Sequence, residues 1–198
     1  MSFLNDKCIF QALDRETIKS CVTFSCGNDD LDEFFNKDAH YYSAQLLGKS
    51  YCFRLKENLN IIICAFSVSN SGIRVDDMPS DERDNIRKKI PEEKHLRNYP
   101  AVLIGRLGVN IEYQRNKIGG ELMNFIKAWF IDPHNKTGCR FITVDAYNNP
   151  DTIHYYQNNG FEFTFPNIKT EKEYYSIKSR KLKTRTMFFD LIKITQQP

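Results

Sequence analysis

Apolar residues recur along the chain in short strand-like runs separated by polar turns and by segments of helical period. Residues 7–13 include alternating apolar side chains and predict a first strand. The stretch FSCGNDD at 24–30 is a turn, with Asn28 or Asp29 placed to cap a following helix. From there Leu31, Phe34, Phe35, Asp38, Tyr41 and Tyr42 trace a mostly apolar stripe at helical spacing, and Gly48 closes the element. Runs at 50–55 and 59–68, separated by Lys56-Glu57-Asn58, read as a hairpin. The stretch 69–100 is polar and carries Pro79, Pro91 and Pro100, so it reads as an excursion between strands. Within it, a solvated helix is expected over 81–89, capped by Ser80.

The centre of the pattern is the apolar run 102–109, a polar turn with a glycine pair, and a helix beginning at or just before Ile118. Leu122, Phe125, Ile126, Trp129 and Phe130 share one face of that helix, which should pack against a sheet. Strand, turn and helix with glycines at the turn form a phosphate-binding geometry. First-turn amides lack intrahelical partners, and Gly119 and Gly120 let an anion approach the backbone. The same letters also describe a strand-to-helix turn with no ligand. Beyond it, 139–146 (CRFITVDA) is another strand. Asn149-Pro150-Asp151 opens a helix with a cap residue and proline at its first position, running to about Asn158 and stopping at Gly160. Runs at 161–165 and 183–191 supply the last strands. No repeat or linker interrupts the chain, so a single domain over 1–198 is expected.

Composition narrows the class. The 198 residues are 41% hydrophobic and 27% charged, which fits a globular domain. No apolar run approaches the roughly 20 residues that span a bilayer, so no membrane partner is expected. MSFLNDKCIF lacks a basic region followed by a long apolar segment, and a cytoplasmic location is the default. Six cysteines at 8, 21, 26, 52, 64 and 139 form no C-x-x-C pair; they read as reduced thiols, with no metal site. The net charge of +3 is too small to imply nucleic acid. However, Lys178, Arg180, Lys181, Lys183 and Arg185 cluster without an acidic residue among them. Either a solvated face or a docking surface for a polyanion accounts for this run. His40, His95 and His134 read as surface residues.

Two motifs carry a resemblance. Gln114-Arg115-Asn116-Lys117-Ile118-Gly119-Gly120 resembles the Q/R-x-x-G-x-G/A motif of the GCN5-related N-acetyltransferases (GNAT family), which cradles the pyrophosphate of coenzyme A; Lys117 stands where the first glycine is usual. NPDTIHYYQNNGF resembles the family's second signature through Asn149, Tyr156, Gly160 and Phe161. Within the family, FSCGNDDLDEFF, AVLIGRLGVN and TRTMFFDL are similar to the GNAT toxins of bacterial toxin–antitoxin pairs, which acetylate the amino group of aminoacyl-tRNA.

The resemblance implies an α/β (α+β) GNAT fold: a mixed, mostly antiparallel sheet splayed at the central strand, with helices on both faces. It implies acetyl-CoA as cofactor. The pyrophosphate would lie on the backbone of Asn116, Lys117, Ile118, Gly119 and Gly120, aided by Arg115 and Lys117, with Gln114 and Asn149 as the further motif positions. Backbone groups of Leu107 and Val109 would pair with the pantetheine arm. Tyr156, rather than its neighbour Tyr155, would protonate the leaving sulfur. No general base announces itself among Glu112, Asp145, His154 and Glu162. Arg106, inside the apolar strand, either snorkels to solvent or points into the acceptor cleft. The acceptor would be a primary amine, with the α-amino group of aminoacyl-tRNA as the toxin-like choice and Lys181, Lys183 and Arg185 as its phosphate-holding row. A small antitoxin is the implied protein partner, and a homodimer is left open. Two rival readings remain: a non-catalytic coenzyme A-binding or protein-interaction module, suggested by Lys117, and an acetyltransferase for a small-molecule or protein amine. A Rossmann reading fails because no G-x-G-x-x-G follows the first strand.

Overall fold

A computed structural model describes residues 2–76, 78–90, 96–135, 137–178 and 181–195. The chain opens with a helical turn, α1 (Phe3–Lys7), and passes into β1 (Cys8–Ala12). A short helix α2 (Arg15–Ser20) follows, capped by Asp14, whose side chain accepts from the Thr17 amide. Asn28 caps α3 (Asp29–Glu33), and the helical path continues through a π-turn at Phe34–Asp38 into α4 (Ala39–Ala44). The hairpin is β2 (Lys49–Leu55) and β3 (Asn58–Arg74). Then come α5 (Ser80–Lys88), β4 (Asn98–Val109), a 3-10 turn at Ile111–Tyr113 and α6 (Ile118–Ile131). The remainder is β5 (Phe141–Tyr147), α7 (Pro150–Asn158), β6 (Glu162–Phe163), α8 (Ile168–Tyr174), β7 (Thr184–Asp190) and α9 (Ile192–Thr195). The architecture is a mixed α/β fold on a seven-stranded sheet of order β1-β2-β3-β4-β5-β7-β6. The described registers β1–β2, β2–β3, β5–β7 and β6–β7 are all antiparallel.

Several boundaries differ from the sequence expectation. The expected excursion 69–100 is partly strand, because β3 runs on to Arg74 and β4 begins at Asn98. Asn70-Ser71-Gly72 looks like a turn, yet Gly72 serves close approach: a Cβ there would lie 2.2 Å from Asn98 Oδ1. The cap of α5 is Pro79, not Ser80, which is the first helical residue. The strand expected over 161–165 shrinks to Glu162–Phe163. Pro91, His95 and Arg180 lie outside the described residues.

The chain divides into two compact units, 1–69 with 104–129 and 70–103 with 130–198. The first is dominated by rings. Phe125 and Trp129 of α6 meet Phe10, with centroids 4.7 and 5.3 Å away, while Phe53 and Tyr51 close the cluster. Burying one large apolar side chain contributes about 1.5–3 kcal/mol, whereas helix propensity differences are mostly below about 0.7 kcal/mol per residue. Packing therefore fixes where α6 lies. A second cluster of Leu13, Phe24, Phe34, Phe35 and Cys52 seats α3 and the π-turn. The other unit has its own core of Ile73, Val75, Tyr99, Phe141, Phe165 and Phe188. All six cysteines are free, and burial pushes the Cys8 thiol up to about 11 and the Cys52 thiol to about 12.

Candidate active site

In the first unit, the turn between β4 and α6 is braced from two sides. The Asn110 side chain accepts from the Glu112 amide (3.1 Å) and donates to the Ile62 carbonyl (3.0 Å). Gln114 Nε2 donates to the carbonyls of Cys26 (2.7 Å) and Val109 (3.0 Å). The FSCGNDD turn thus buttresses this one, and the motif glutamine acts by fastening backbone. The Val109 carbonyl, expected to pair with the pantetheine arm, accepts one bond from Gln114 and keeps its second lone pair.

Arg115 (φ 62°) and Lys117 (φ 64°) both adopt the left-handed conformation. That conformation costs a non-glycine residue on the order of 1–3 kcal/mol. Lys117 therefore supplies, at a cost, the backbone geometry glycine would supply freely. The side chains of Arg115, Asn116 and Lys117 are exposed, whereas Ile118 is buried and can offer a ligand only its backbone. The Gly120 amide donates to the Lys117 carbonyl (3.0 Å), which corrects the view that this first-turn amide lacks an intrahelical partner. A Cβ on Gly120 would meet nothing within 4 Å, so the face above it is open. Two exposed cations, an open glycine face and a helix N-terminus fit a pyrophosphate group.

Arg106 is half-buried and stacks on rings. Its guanidinium carbon lies 3.8 Å from the Phe34 ring centroid and 5.9 Å from that of Tyr42, and its buried Nε has no hydrogen-bond partner. A cation over a ring face is worth about 0.5–2 kcal/mol, depending on desolvation. Leu107 is half-buried on β4.

In the second unit, Asn149 caps α7 by accepting from the Thr152 amide (2.9 Å), so its side chain is engaged in the helix start. Tyr156 is 8% exposed, with the rings of Tyr155 and Phe161 at 5.1 and 5.3 Å. Burial, and then the charge of Asp145, raise the Tyr156 pKa well above its ordinary value. The phenol consequently keeps its proton at neutral pH. Gly160 (φ 78°) ends α7, and a Cβ there would press to 3.1 Å from the Phe189 ring.

The four base candidates separate by environment. Glu162 is held by Lys89 (2.7 Å) and Lys193 (2.5 Å), while Glu112 and His154 are exposed. Asp145 lines a cavity of about 700 Å³. Burial raises its pKa although the Thr186 hydroxyl donates to it at 3.2 Å. Asp145 keeps exposed surface even though protein crowds its carboxyl.

The basic run needs correction at Arg185. This residue is 7% exposed; its Nε donates to Glu171 Oε2 (2.5 Å), and Glu171 is itself 1% exposed. Glu171 also accepts from the Thr186 amide (2.6 Å). A polyanion cannot reach a guanidinium so enclosed. Lys181 and Lys183 are exposed and precede β7, which begins at Thr184, so the expected row of three along one strand face does not form. Glu171 sits on α8, a helix the apolar pattern did not reveal. Its one local signal is Asn167, which accepts from the Thr170 amide at 3.0 Å.

Residues 86–163 match the family model of the acetyltransferase (GNAT) domain. No curated protein sequence matches the chain. Among solved structures, the chain is similar to a tyrosine-to-phenylalanine mutant of KacT, at 18% identity and TM-score 0.70, covering 96% of this chain and 99% of that one. It is similar to AtaT complexed with acetyl-methionyl-tRNAfMet, at 18% identity and TM-score 0.64, covering 95% and 97%. A third is a mutant AtaT toxin bound to the C-terminus of the antitoxin AtaR and acetyl-CoA, at 16% identity and TM-score 0.60, covering 96% of each chain. At these identities the likeness is one of fold.

Proposed function

We propose that this chain, whose residues 86–163 match the acetyltransferase (GNAT) domain, moves the acetyl group of acetyl-CoA to the α-amino group of an aminoacyl-tRNA. The observation that carries the reading is the turn 114–120, whose left-handed Arg115 and Lys117 precede an open helix N-terminus inside the matched segment. Arg115 and Lys117, with the backbone of 116–120, would hold the phosphates; Leu107 would hold the arm beyond. The bound cofactor supplies an activated acyl group. Tyr156 would hold a proton at its hydroxyl for the departing sulfur, a role that its raised pKa suits at neutral pH. An α-amino group, with pKa about 7.7–8.0, is partly neutral already, whereas a lysine amine near about 10.4 is not. AtaT complexed with acetyl-methionyl-tRNAfMet supports the same acceptor class, and AtaT bound to AtaR supports a small antitoxin as partner. Exposed Lys178, Lys181 and Lys183 would meet tRNA phosphates.

The test is transfer of labelled acetyl from acetyl-CoA to a charged tRNA pool, with deacylated tRNA and free amines as controls. Label on charged tRNA alone, falling steeply as salt rises, is the expected outcome. Transfer only to free amines would move the acceptor to a small molecule or protein. Acetyl-CoA binding without thiol release toward any amine would leave a non-catalytic module.

A further inference from the structure

Within the second unit, the cavity of about 700 Å³ is lined by six hydroxyl side chains, the carboxylates of Asp145 and Glu173, Arg74, and apolar residues that include Ile73, Met78 and Leu103. Its size suits a small-molecule site. Tyr175 Oη and Thr186 Oγ1 are 3.1 Å apart, and Thr186 Oγ1 donates to Asp145 Oδ1 (3.2 Å). A hydroxyl has one proton, so Thr186 accepts from Tyr175 and passes its own hydrogen to the carboxylate. The relay ends on Asp145, which pairs with no cation among the described residues and keeps acceptor capacity facing the cavity. The other charged groups on the wall are Arg74 and Glu173, and Glu173 has Lys169 at 3.9 Å.

Thr164 makes the second, independent observation. It is 7% exposed and lines the cavity, yet its Oγ1 has no hydrogen-bond partner. A buried hydroxyl left unpaired is costly, and such groups are ordinarily satisfied. One that stands on a cavity wall marks where a bound molecule can complete it. Asp145 also acts on Tyr156, since its charge helps raise that phenol. The cavity therefore shares a wall residue with the surroundings of the proposed acid.

The geometry points to this cavity as the acceptor subsite, taking a primary ammonium carried on a polar, hydrogen-bonding acyl group, with Asp145 as its counter-ion and proton acceptor. The inference rests on the acetyl-transfer reading above and deepens it. In the proton step an N–H bond of the ammonium breaks and an O–H bond forms on the Asp145 carboxylate. The electron pair stays on nitrogen, which becomes the neutral amine, and nothing is oxidised or reduced. An apolar side chain such as that of methionine would leave the buried Thr164 hydroxyl unpaired, so that position on the wall disfavours it.

The experiment measures binding of amino-acid amides to the full chain by calorimetry, without acetyl-CoA. Serinamide is expected to bind, N-acetylserinamide not to bind, and methioninamide to bind about tenfold more weakly than serinamide. Asp145→Asn should weaken serinamide about tenfold to hundredfold, because a charge-assisted contact is lost. Thr164→Val should weaken it about twofold to tenfold while the unfolding temperature stays level or rises; a merely structural hydroxyl would move the unfolding temperature and not the binding. Serinamide binding unchanged in Asp145→Asn, methioninamide binding as tightly as serinamide, or no serinamide binding would each overturn the assignment. Because no transfer is measured, amide binding in the cavity with no acetylation of tRNA would sink the tRNA reading and leave the subsite standing.

Discussion

Arg115 and Arg185 are the same side chain put to opposite uses. Arg115 stands exposed in a left-handed turn with Lys117 two residues on, and the backbone bears the strain of presenting both. Arg185 is 7% exposed, held by Glu171 and by the Phe165 carbonyl (3.2 Å), with its guanidinium carbon 4.2 Å from the Phe163 ring centroid. The attraction in such a buried pair is largely offset by desolvation, so the pair fixes how α8 meets β7 more than it adds net stability. Both arginines count equally in the net charge of +3, and only one is placed to meet an anion. A cation whose partner lies inside the protein has nothing left for a ligand.

Tyr156 tests that division hardest. At 8% exposure it is as buried as Arg185, yet it is assigned chemistry. Tyr156→Phe is expected to lower turnover about 10²–10⁴-fold while changing acetyl-CoA affinity little. Tyr155→Phe is the control, because its neighbour on α7 points about 100° away. Steady-state kinetics and calorimetry on both variants read the split. Small, equal losses from the two would class Tyr156 with Arg185, as packing.

The buried pair is the next largest effect. Arg185→Ala leaves Glu171 charged and enclosed, and should lower unfolding free energy by about 3–5 kcal/mol in urea titrations. A loss below about 1 kcal/mol is what an exposed pair gives. That result would return Arg185 to solvent and to the exposed basic run with Lys181 and Lys183.

What the sequence showed of this fold follows from the range of the signals. The central strand, α3, α6 and α7 were legible because an apolar period and a cap such as Asn28 or Asn149 are local features. RETIKS and IKTEKEY are short, polar helices with little apolar stripe, and the sequence reading passed over both, although Asp14 and Asn167 cap them. The turn 114–120 was legible for the same reason as α6. The site's other parts are contacts across sequence: Arg185 with Glu171 fourteen residues back, Arg106 over Phe34, and Asp145 bonded by Thr186 forty-one residues on. Residue type alone made Arg185 a phosphate ligand and left Asp145 as one of four equal carboxylate or imidazole candidates. Burial and partner separated them.

Lys117 carries the smallest effect and sharpens the comparison most finely, because strain and charge act there in opposite directions. Lys117→Gly relieves a left-handed residue, a gain of about 1 kcal/mol or more. Glycine's freedom in the unfolded chain takes back about 0.5–1 kcal/mol. The ligand-free protein should therefore be level in stability or firmer by up to about 2.5 kcal/mol. The same change removes an exposed cation beside the bound phosphates, and an exposed charge pair is worth about 0.2–1 kcal/mol, so acetyl-CoA should bind more weakly by up to about fivefold. Lys117→Ala separates the two terms: it loses the charge and keeps the strained Cβ, so affinity should fall equally with no gain in stability. Denaturation and calorimetry on the three proteins read both quantities. Tighter acetyl-CoA binding in the glycine variant would mean that the lysine obstructs the cradle it was taken to complete. Arg115 would then be the only exposed cation of the turn that serves the cofactor.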